Sequence, residues 1–470
     1  MDNAFTFFTI RAYSDAMLSE FWHRVIKNIH PYHSLAFSFL VLTATGTLLL
    51  SLPVSQQGPG ARWIDCLFVA TSATCVTGLV PVDIAAVFSR FGQVVILLLF
   101  QCGGLGIMTF SIFFAYILAG RLSLRGRDVI EHSVSSQPVP YLGALLKFAV
   151  IGTLTLEILG AIVLTFRFLP DHSWQHALWS GVFHAVSAFC NAGFSLYADG
   201  LMPYRDDVIL NLTVMALIVS GGIGFLVLHD LGNIRKKGLR GLTLHSKIVL
   251  TVTGLLILIG AAAIMFFELG HTLRPLTAGQ KLLASFFQSI TARTAGFNTL
   301  PIGEMTNGAL LVLILLMAIG ASPGSTGGGI KTTTFAVIFI SFFARLRTEQ
   351  QLRLFNRGIS DTTISKSIGI AIFWIMAVCA ALFLLLITES YGSSAAHARG
   401  RLVELVFESF SAIGTVGLSM GATPHLSPAG KLVIIVLMYV GRIGPITLAL
   451  AIANKPALNI RYAEEKIIVG

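Results

Sequence analysis

Eight long apolar stretches limit what this 470-residue chain can fold into. A helix needs about 20 mainly apolar residues to cross the hydrocarbon core of a bilayer, and each stretch is close to that length or longer. Only 11% of the residues are charged, against roughly 25% in soluble proteins. The sequence therefore predicts an all-α membrane protein with eight transmembrane helices near 34–52, 92–119, 141–166, 208–228, 248–267, 309–343, 368–388 and 431–453.

Lysine and arginine are distributed unevenly between the connecting segments. The two termini and the loops 119–147, 229–247 and 343–367 hold 20 of the 32 Lys and Arg residues, and the opposite side, Lys431 included, holds nine. Cytosolic loops carry the excess of positive charge, so 1–33 is predicted to be a cytosolic amino-terminal segment and 454–470 a cytosolic tail. This distribution also accounts for the net charge of +10 without nucleic acid as a partner.

A short motif recurs four times between the long stretches. Each copy has a phenylalanine ten residues before a glycine, and these glycines are Gly78, Gly193, Gly296 and Gly417. A glycine-rich signal follows 24–28 residues later, with Gly103, Gly221 and Gly441 as its first residues in copies one, two and four. The pattern predicts four span–pore helix–span repeats at 34–119, 141–228, 248–343 and 368–453.

The short segments within these repeats predict re-entrant helices that stop inside the membrane. Such a helix must end beside protein or water, because lipid cannot satisfy open backbone groups. Its last carbonyls carry roughly half a negative charge, and rings of carbonyls can replace the hydration shell of K⁺. Four ends around a central pore would therefore stabilise a cation. The serines six residues before three of the glycines are expected to tie helix to backbone: Ser72, Ser187 and Ser411.

The fourth copy, with Thr415-Val416-Gly417, resembles the filter of potassium channels, and the whole layout resembles the Trk/Ktr/HKT superfamily of potassium transporters. The resemblance implies K⁺ uptake across a bacterial plasma membrane, often Na⁺-dependent, by a homodimer. It also implies a cytosolic KtrA-like ring that binds ATP or ADP, with no covalent cofactor on this chain. It places an ion filter on Val76, Thr77, Gly78, Asn191, Ala192, Gly193, Thr294, Ala295, Gly296, Thr415, Val416 and Gly417.

The stretch GASPGSTGGGIKTTT at 320–334 interrupts the sixth apolar segment. It fails as a phosphate-binding loop, because Ile330 separates the last glycine from the lysine that should follow it directly. Glycine and proline also disfavour a continuous helix here. The resemblance implies an intramembrane gating loop at 320–331, and a kinked, packed helix is the alternative. The predicted gate comprises Gly320, Ser322, Pro323, Gly324, Ser325, Thr326, Gly327, Gly328, Gly329, Lys331 and Arg442.

Three cations stand in apolar surroundings. Arg442 is expected to bond loop carbonyls and oppose cation passage, and a salt bridge to Glu408 or Glu157 is the alternative. Lys331 either stabilises the closed loop or extends to the cytosol. Arg293 is expected to turn away from the pore and pair with Glu408, because a cation pointing into the pore would repel K⁺.

Two other functions compete with a pore. A secondary cation symporter would bind its ion at the membrane midplane between inverted repeats, whereas the copies here run in parallel order. An intramembrane enzyme would need catalytic groups at depth, and the sequence has no HExxH or paired aspartates there. We therefore expect a transport protein and no enzyme.

Overall fold

The computed structural model describes residues 31–121, 139–238, 241–347, 352–355, 357–390 and 395–444. Nearly all of them lie in helices and the turns that join helices. Of the predicted cytosolic segment 1–33, only residues 31–33 are described, and they begin the first helix. The predicted tail 454–470 lies outside the described residues.

Sixteen α-helices follow one another in the described residues. In chain order they are α1 Pro31–Ser51, α2 Trp63–Thr74, α3 Ile84–Val87, α4 Arg90–Arg121, α5 Val139–Phe168, α6 Trp174–Cys190, α7 Val208–Gly222, α8 Phe225–Gly232, α9 Ile234–Lys237, α10 Leu244–Glu268, α11 Ala278–Thr291, α12 Asn307–Ala318, α13 Thr332–Leu346, α14 Asp361–Ser390, α15 Ala395–Gly414 and α16 Pro428–Ile443. Two antiparallel strands, β1 Arg353–Leu354 and β2 Arg357–Gly358, form a hairpin before α14.

Within the described residues, three helical segments are long and apolar enough to cross a membrane: Lys147–Phe168 in α5, Leu244–Glu268 (α10) and Asp361–Glu389 in α14. The pair α7 and α8 meets the same criteria as one broken span, bent by 104°. Five shorter apolar helices accompany them, Arg90–Gly106 in α4 among them. The fold is thus a helical membrane protein, and the count of eight crossings stays a prediction.

Two predicted spans are broken. The apolar segment 309–343 divides into α12 and α13, joined by the glycine-rich loop 319–331. The segment 208–228 divides between α7 and α8, where Gly224 has φ +90°. The glycine-rich composition of 320–334 predicts the first break, whereas the apolar sequence of 208–228 does not predict the second. The short helices α6 and α15, with 17 and 20 residues, are longer than α2 and α11, with 12 and 14.

The protein core surrounds the four short helices. In α2 and α6 most side chains are buried, including Phe68 and Phe183, which are fully buried. The long helices instead expose large apolar side chains, such as Phe166 at 70% and Phe266 at 76%. Apolar side chains exposed along long helices suit contact with lipid tails.

Carboxylates fix the ends of neighbouring helices to one another. Glu268, the last residue of α10, accepts hydrogen bonds from the backbone N (2.8 Å) and Oγ1 (2.7 Å) of Thr306, the residue that caps α12. Glu389 in α14 accepts in the same way from the backbone N (3.1 Å) and Oγ (2.6 Å) of Ser427, which caps α16. Each carboxylate therefore binds one long helix to the start of the next apolar helix of its repeat.

The first and last parts of the chain are joined through α16. Lys431, which the sequence analysis assigned to the loops, is buried in α16 and donates to Asp65 of α2 at 2.7 Å. The Tyr439 hydroxyl donates to the carbonyl of Ala36 in α1. These bonds hold α16 against the first two helices.

Candidate cation pore

The backbone takes the same unusual turn after each short helix. The first residue of each predicted filter segment has positive φ, a conformation that residues other than glycine rarely adopt. The values are 56° at Val76, 58° at Asn191, 75° at Thr294 and 49° at Thr415. Within the described residues, Phe355 is the one further non-glycine residue with positive φ. The glycine two positions later also has positive φ in every copy, at 95°, 69°, 80° and 91°.

The four glycines form a closed ring. A methyl group added to Gly78 would lie 2.6 Å from the carbonyl oxygen of Ala192, and one added to Gly193 would lie 2.7 Å from that of Ala295. Real Cβ atoms do not approach other atoms so closely. The series continues from Gly296 to the carbonyl oxygen of Val416 and from Gly417 back to that of Thr77. The structure therefore gathers the four predicted filter segments around one axis, and their role as an ion filter stays a prediction.

The backbone amides of the filter segments point back to the short helices. Thr77, Ala192 and Val416 donate to the carbonyls of the repeat serines, each at 2.8 Å. In the third copy, Ala295 donates to the carbonyl of Thr291 at 2.9 Å. Within the described part of the chain, the carbonyls of 76–78, 191–193, 294–296 and 415–417 accept no hydrogen bond, so their oxygens are available to a ligand.

The repeat serines tie helix to backbone, as the sequence analysis predicted. The Oγ of Ser72 accepts from the N–H of Gly78 and that of Ser411 from the N–H of Gly417, both at 3.0 Å. Ser187 donates to the carbonyl of Phe194 at 2.9 Å. Thr291 makes the equivalent bond in the third copy, to the carbonyl of Phe297 at 2.7 Å. The sequence analysis missed it because the third copy carries threonine where the others carry serine.

Three threonine hydroxyls in the filter segments are buried without a hydrogen-bond partner. They belong to Thr77, Thr294 and Thr415. A buried hydroxyl normally has a partner, because leaving it unpaired costs free energy. Neutral carbonyl and hydroxyl oxygens form a donor set that suits an alkali cation stripped of its water.

The first glycine of the second repeat signal lets the following helix touch the end of the short helix. A methyl group on Gly103 would strike the carbonyl oxygen of Thr74, and one on Gly441 would strike that of Ile413. Gly221 stands in the same relation to the carbonyl of Phe189. This contact explains why a glycine recurs beside the end of the short helix in these three copies.

The loop 319–331 lies directly against the filter ring. A methyl group on Gly327 would strike Oγ1 of Thr294, and one on Gly328 would strike Oγ1 of Thr415. Backbone bonds close the loop on itself, from Gly320 N to the carbonyl of Ile330 at 2.9 Å and from Ala321 N to that of Gly328 at 3.2 Å. The kinked-helix alternative is therefore wrong, since the chain here is a folded-back loop.

The far side of the loop rests on the break between α7 and α8. Thr326 donates through its backbone N to the carbonyl of Gly221 at 3.2 Å, and Ser322 to that of Gly222 at 3.0 Å. Phe225, the first residue of α8, donates to the carbonyl of Gly324 at 3.1 Å. The backbone groups freed by the broken helix are thus partly satisfied by the loop, as burial in a membrane requires.

Two of the three cations bind the loop. Arg442 donates to the carbonyls of Thr326 and Gly103, the second at 2.6 Å. The predicted contact of Arg442 with a loop carbonyl is therefore present, and neither Glu408 nor Glu157 is its partner. Lys331 donates to the carbonyl of Gly327 at 2.6 Å, so it closes the loop. The other predicted gate residues contribute backbone: Ser322 and Thr326 are fully buried, Ser325 nearly so, Gly324 and Gly329 have positive φ, and Pro323 abuts Gly224.

The expected pair between Arg293 and Glu408 is wrong. Arg293 turns away from the filter and donates to the carbonyl and Oγ1 of Thr253 on α10, both at 3.4 Å. Glu408 is fully buried behind the fourth filter segment and accepts from Thr423 at 2.7 Å and from Ser419. The carboxylate is satisfied by hydroxyls and does not neutralise the arginine.

Comparison with known proteins identifies the family of this chain. Residues 4–460 match the TrkH family model, described as a cation transport protein. The chain is 40% identical to the Ktr system potassium uptake protein B of Bacillus subtilis over 95% of its length and 99% of the relative's, and 39% identical to its Vibrio alginolyticus namesake over 92% and 93%. It is 37% identical to the potassium/sodium uptake protein NtpJ of Enterococcus hirae over 95% and 99%.

A solved structure has the same fold. The crystal structure of the potassium transporter TrkH from Vibrio parahaemolyticus matches with a TM-score of 0.68 at 17% identity, over 90% of this chain and 84% of that one. The match of the family model to nearly the whole chain, together with relatives well above 30% identity, shows the family. The chain belongs to the TrkH family of cation transport proteins.

Proposed function

We propose that this chain is the K⁺-translocating subunit of a bacterial uptake system, with four span–pore helix–span repeats around one single-file pore. The closed ring of Gly78, Gly193, Gly296 and Gly417 carries the proposal. The names of three relatives, which are potassium uptake proteins, support K⁺ as the cargo. The protein would lie in the plasma membrane with both termini in the cytosol.

The backbone carbonyls of the filter bind the dehydrated cation. The amides of each segment are committed to the short helix behind it, so the free carbonyls serve as ligands. The C-terminal ends of α2, α6, α11 and α15 add partial negative charge beside the same ring. Neither the carbonyls nor the helix ends titrate, and a neutral oxygen ring binds K⁺ weakly enough for the ion to leave.

We propose that the loop 319–331 is the gate and that the contacts described above hold it closed. It lies under Thr294 and Thr415 and is held by Arg442 and Lys331. The guanidinium and the ammonium add two positive charges beneath the filter, which oppose a cation in transit. Opening requires Thr326 to separate from Arg442, the bond between Lys331 and Gly327 to break, and the loop to leave the break between α7 and α8.

The names of two relatives assign those proteins to a Ktr system, which supports a regulatory partner for this chain. We propose a homodimer with a KtrA-like cytosolic ring, and ATP or ADP would bind to that ring. The described basic residues Arg235, Arg345 and Arg347 near the ends of α9 and α13 suit an acidic docking surface. The name of the Enterococcus relative, a potassium/sodium uptake protein, supports a role for Na⁺ beside K⁺.

The proposal is tested by K⁺ uptake in a bacterium that lacks its own uptake systems. The wild-type chain is expected to restore growth at low K⁺ and to discriminate against Na⁺. Gly417→Asp is expected to abolish uptake, because the side chain enters the ring. Gly421→Asp is the matched control, since Gly421 has a similar φ of 93° and open space around its Cα. Normal, selective uptake by Gly417→Asp would refute the filter, and fixed Na⁺:K⁺ stoichiometry would favour a symporter.

A further inference from the structure

Arg293 is a buried cation whose charge has no anionic partner in the described residues. Its exposed fraction is 6%, and the ion pairs of those residues do not include it. Its two hydrogen bonds, both to Thr253, are long at 3.4 Å, and its Nε has no partner. An unpaired buried charge costs free energy, so the presence of Arg293 beside the filter suggests that the residue has a function there.

The position of Arg293 differs from the equivalent positions in the other repeats. It follows the C-cap of α11 and directly precedes Thr294 of the filter. Three residues before the ring glycine, the other copies carry Cys75, Cys190 and Gly414. Only the third repeat therefore places a full positive charge at the end of its short helix.

That end is where the helix carries its partial negative charge. A guanidinium there offsets the dipole of α11, whereas α2, α6 and α15 have no charged residue at this position. Arg442 adds positive charge below the ring, where it bonds the carbonyls of Gly103 and Thr326, so Arg293 is the charge that acts on the end of α11 in particular.

We propose that Arg293 sets the affinity of the filter for monovalent cations by weakening it. This inference rests on the proposed function, since it assigns a property of the same pore. Conduction requires an ion to bind well enough to enter and weakly enough to leave. The arginine keeps the third side of the ring less attractive to the ion, and its side chain is directed toward α10, so it does not block the path.

Coulomb's law gives the size of the effect. For a charge on the order of 10 Å from the ion and an effective dielectric constant of about 20, removal of the charge changes cation affinity by roughly tenfold. Glu408 bonds Ser419 and Thr423 and does not pair with Arg293, so removal of the arginine breaks no ion pair with it.

The test is the KM of Rb⁺ uptake, because KM does not depend on how much protein is made. Arg293→Met is expected to lower KM about tenfold and to reduce the maximal rate, because the ion leaves more slowly. Arg293→Lys keeps the charge and is expected to hold KM within about twofold of wild type. Thr253→Val removes the side-chain contact alone and is expected to leave KM unchanged.

A second variant neutralises the charge of Arg293 without removing its side chain. Thr253→Asp places a carboxylate beside the intact arginine and is expected to lower KM in the same direction as Arg293→Met. An unchanged or raised KM in both Arg293→Met and Thr253→Asp would overturn the inference while leaving the pore intact. Equal effects of Thr253→Val and Arg293→Met would assign Arg293 an anchoring role instead. A wild-type chain that carries no Rb⁺ or K⁺ would sink both the proposed function and this inference.

Discussion

Replacement of Gly417 by alanine tests the filter ring with the smallest possible change. Gly417 closes the ring between the fourth and first filter segments, and the added methyl group would lie 2.9 Å from Cα of Gly78 and still closer to the carbonyl oxygen of Thr77. Both are backbone atoms that cannot rotate aside. One of the two segments must therefore move if the methyl group is to fit.

Two costs add in this variant, and a control separates them. The positive φ of 91° strains an alanine by about 1–3 kcal/mol. The same strain arises at Gly421, where φ is 93° but nothing lies within 4 Å of the added methyl group. Ordinary contact distances start near 3.4 Å, so the contact at Gly417 requires a shift on the order of 1 Å. A displacement of about 1 Å in a group that must be positioned can cost roughly 100-fold in rate.

The assay compares initial K⁺ uptake and its inhibition by Na⁺ for the two variants at equal amounts of membrane protein. Gly417→Ala is expected to lose about 100-fold in uptake or to lose discrimination between K⁺ and Na⁺. Gly421→Ala is expected to stay within about threefold of wild type and to remain selective. If the two variants behave alike, backbone strain alone explains the loss, and the reasoning from the ring is wrong.

Three further changes test the gate and the helix ends. Arg442→Gln removes the guanidinium that holds the loop, so basal uptake should rise about tenfold in an Rb⁺ flux assay without any regulatory subunit; unchanged flux would speak against a gate. Gly224→Ala places a methyl group 2.6 Å from the carbonyl of Pro323 and should produce a leak by dislodging the loop, whereas tight closure would show that the loop does not need this seat. Glu389→Ala removes the hydrogen bonds to the cap residue Ser427 and should cost about 2 kcal/mol, seen as a lower thermal midpoint in detergent with selectivity preserved.

The filter segments could be located from the sequence because glycine marks them. A strand that must pass close to its neighbour's carbonyl has no room for a side chain, so Gly78 and its three equivalents recur at the same place in each motif. The loop at 320–331 could also be predicted, because its glycines and its proline are incompatible with a continuous helix.

Other features depend on contacts between distant parts of the chain, which a single sequence does not reveal. The break before Phe225 exists because the loop supplies hydrogen bonds to it, and the segment itself is as apolar as an unbroken span. From the sequence alone Lys431 is assigned to a loop, because its partner Asp65 lies 366 residues away in the chain. The partner of Arg293 was misjudged because Glu408 finds enough donors among nearby hydroxyls.

The central claim is that four segments of backbone share one cation, and the location of the ion tests it most directly. Anomalous diffraction from crystals soaked in Rb⁺ would locate the ion without any assumption about the filter. The account predicts Rb⁺ on the axis between Gly78, Gly193, Gly296 and Gly417, within coordinating distance of their neighbouring carbonyls. Rb⁺ bound elsewhere in the membrane region, with the ring empty at saturating concentration, would contradict it.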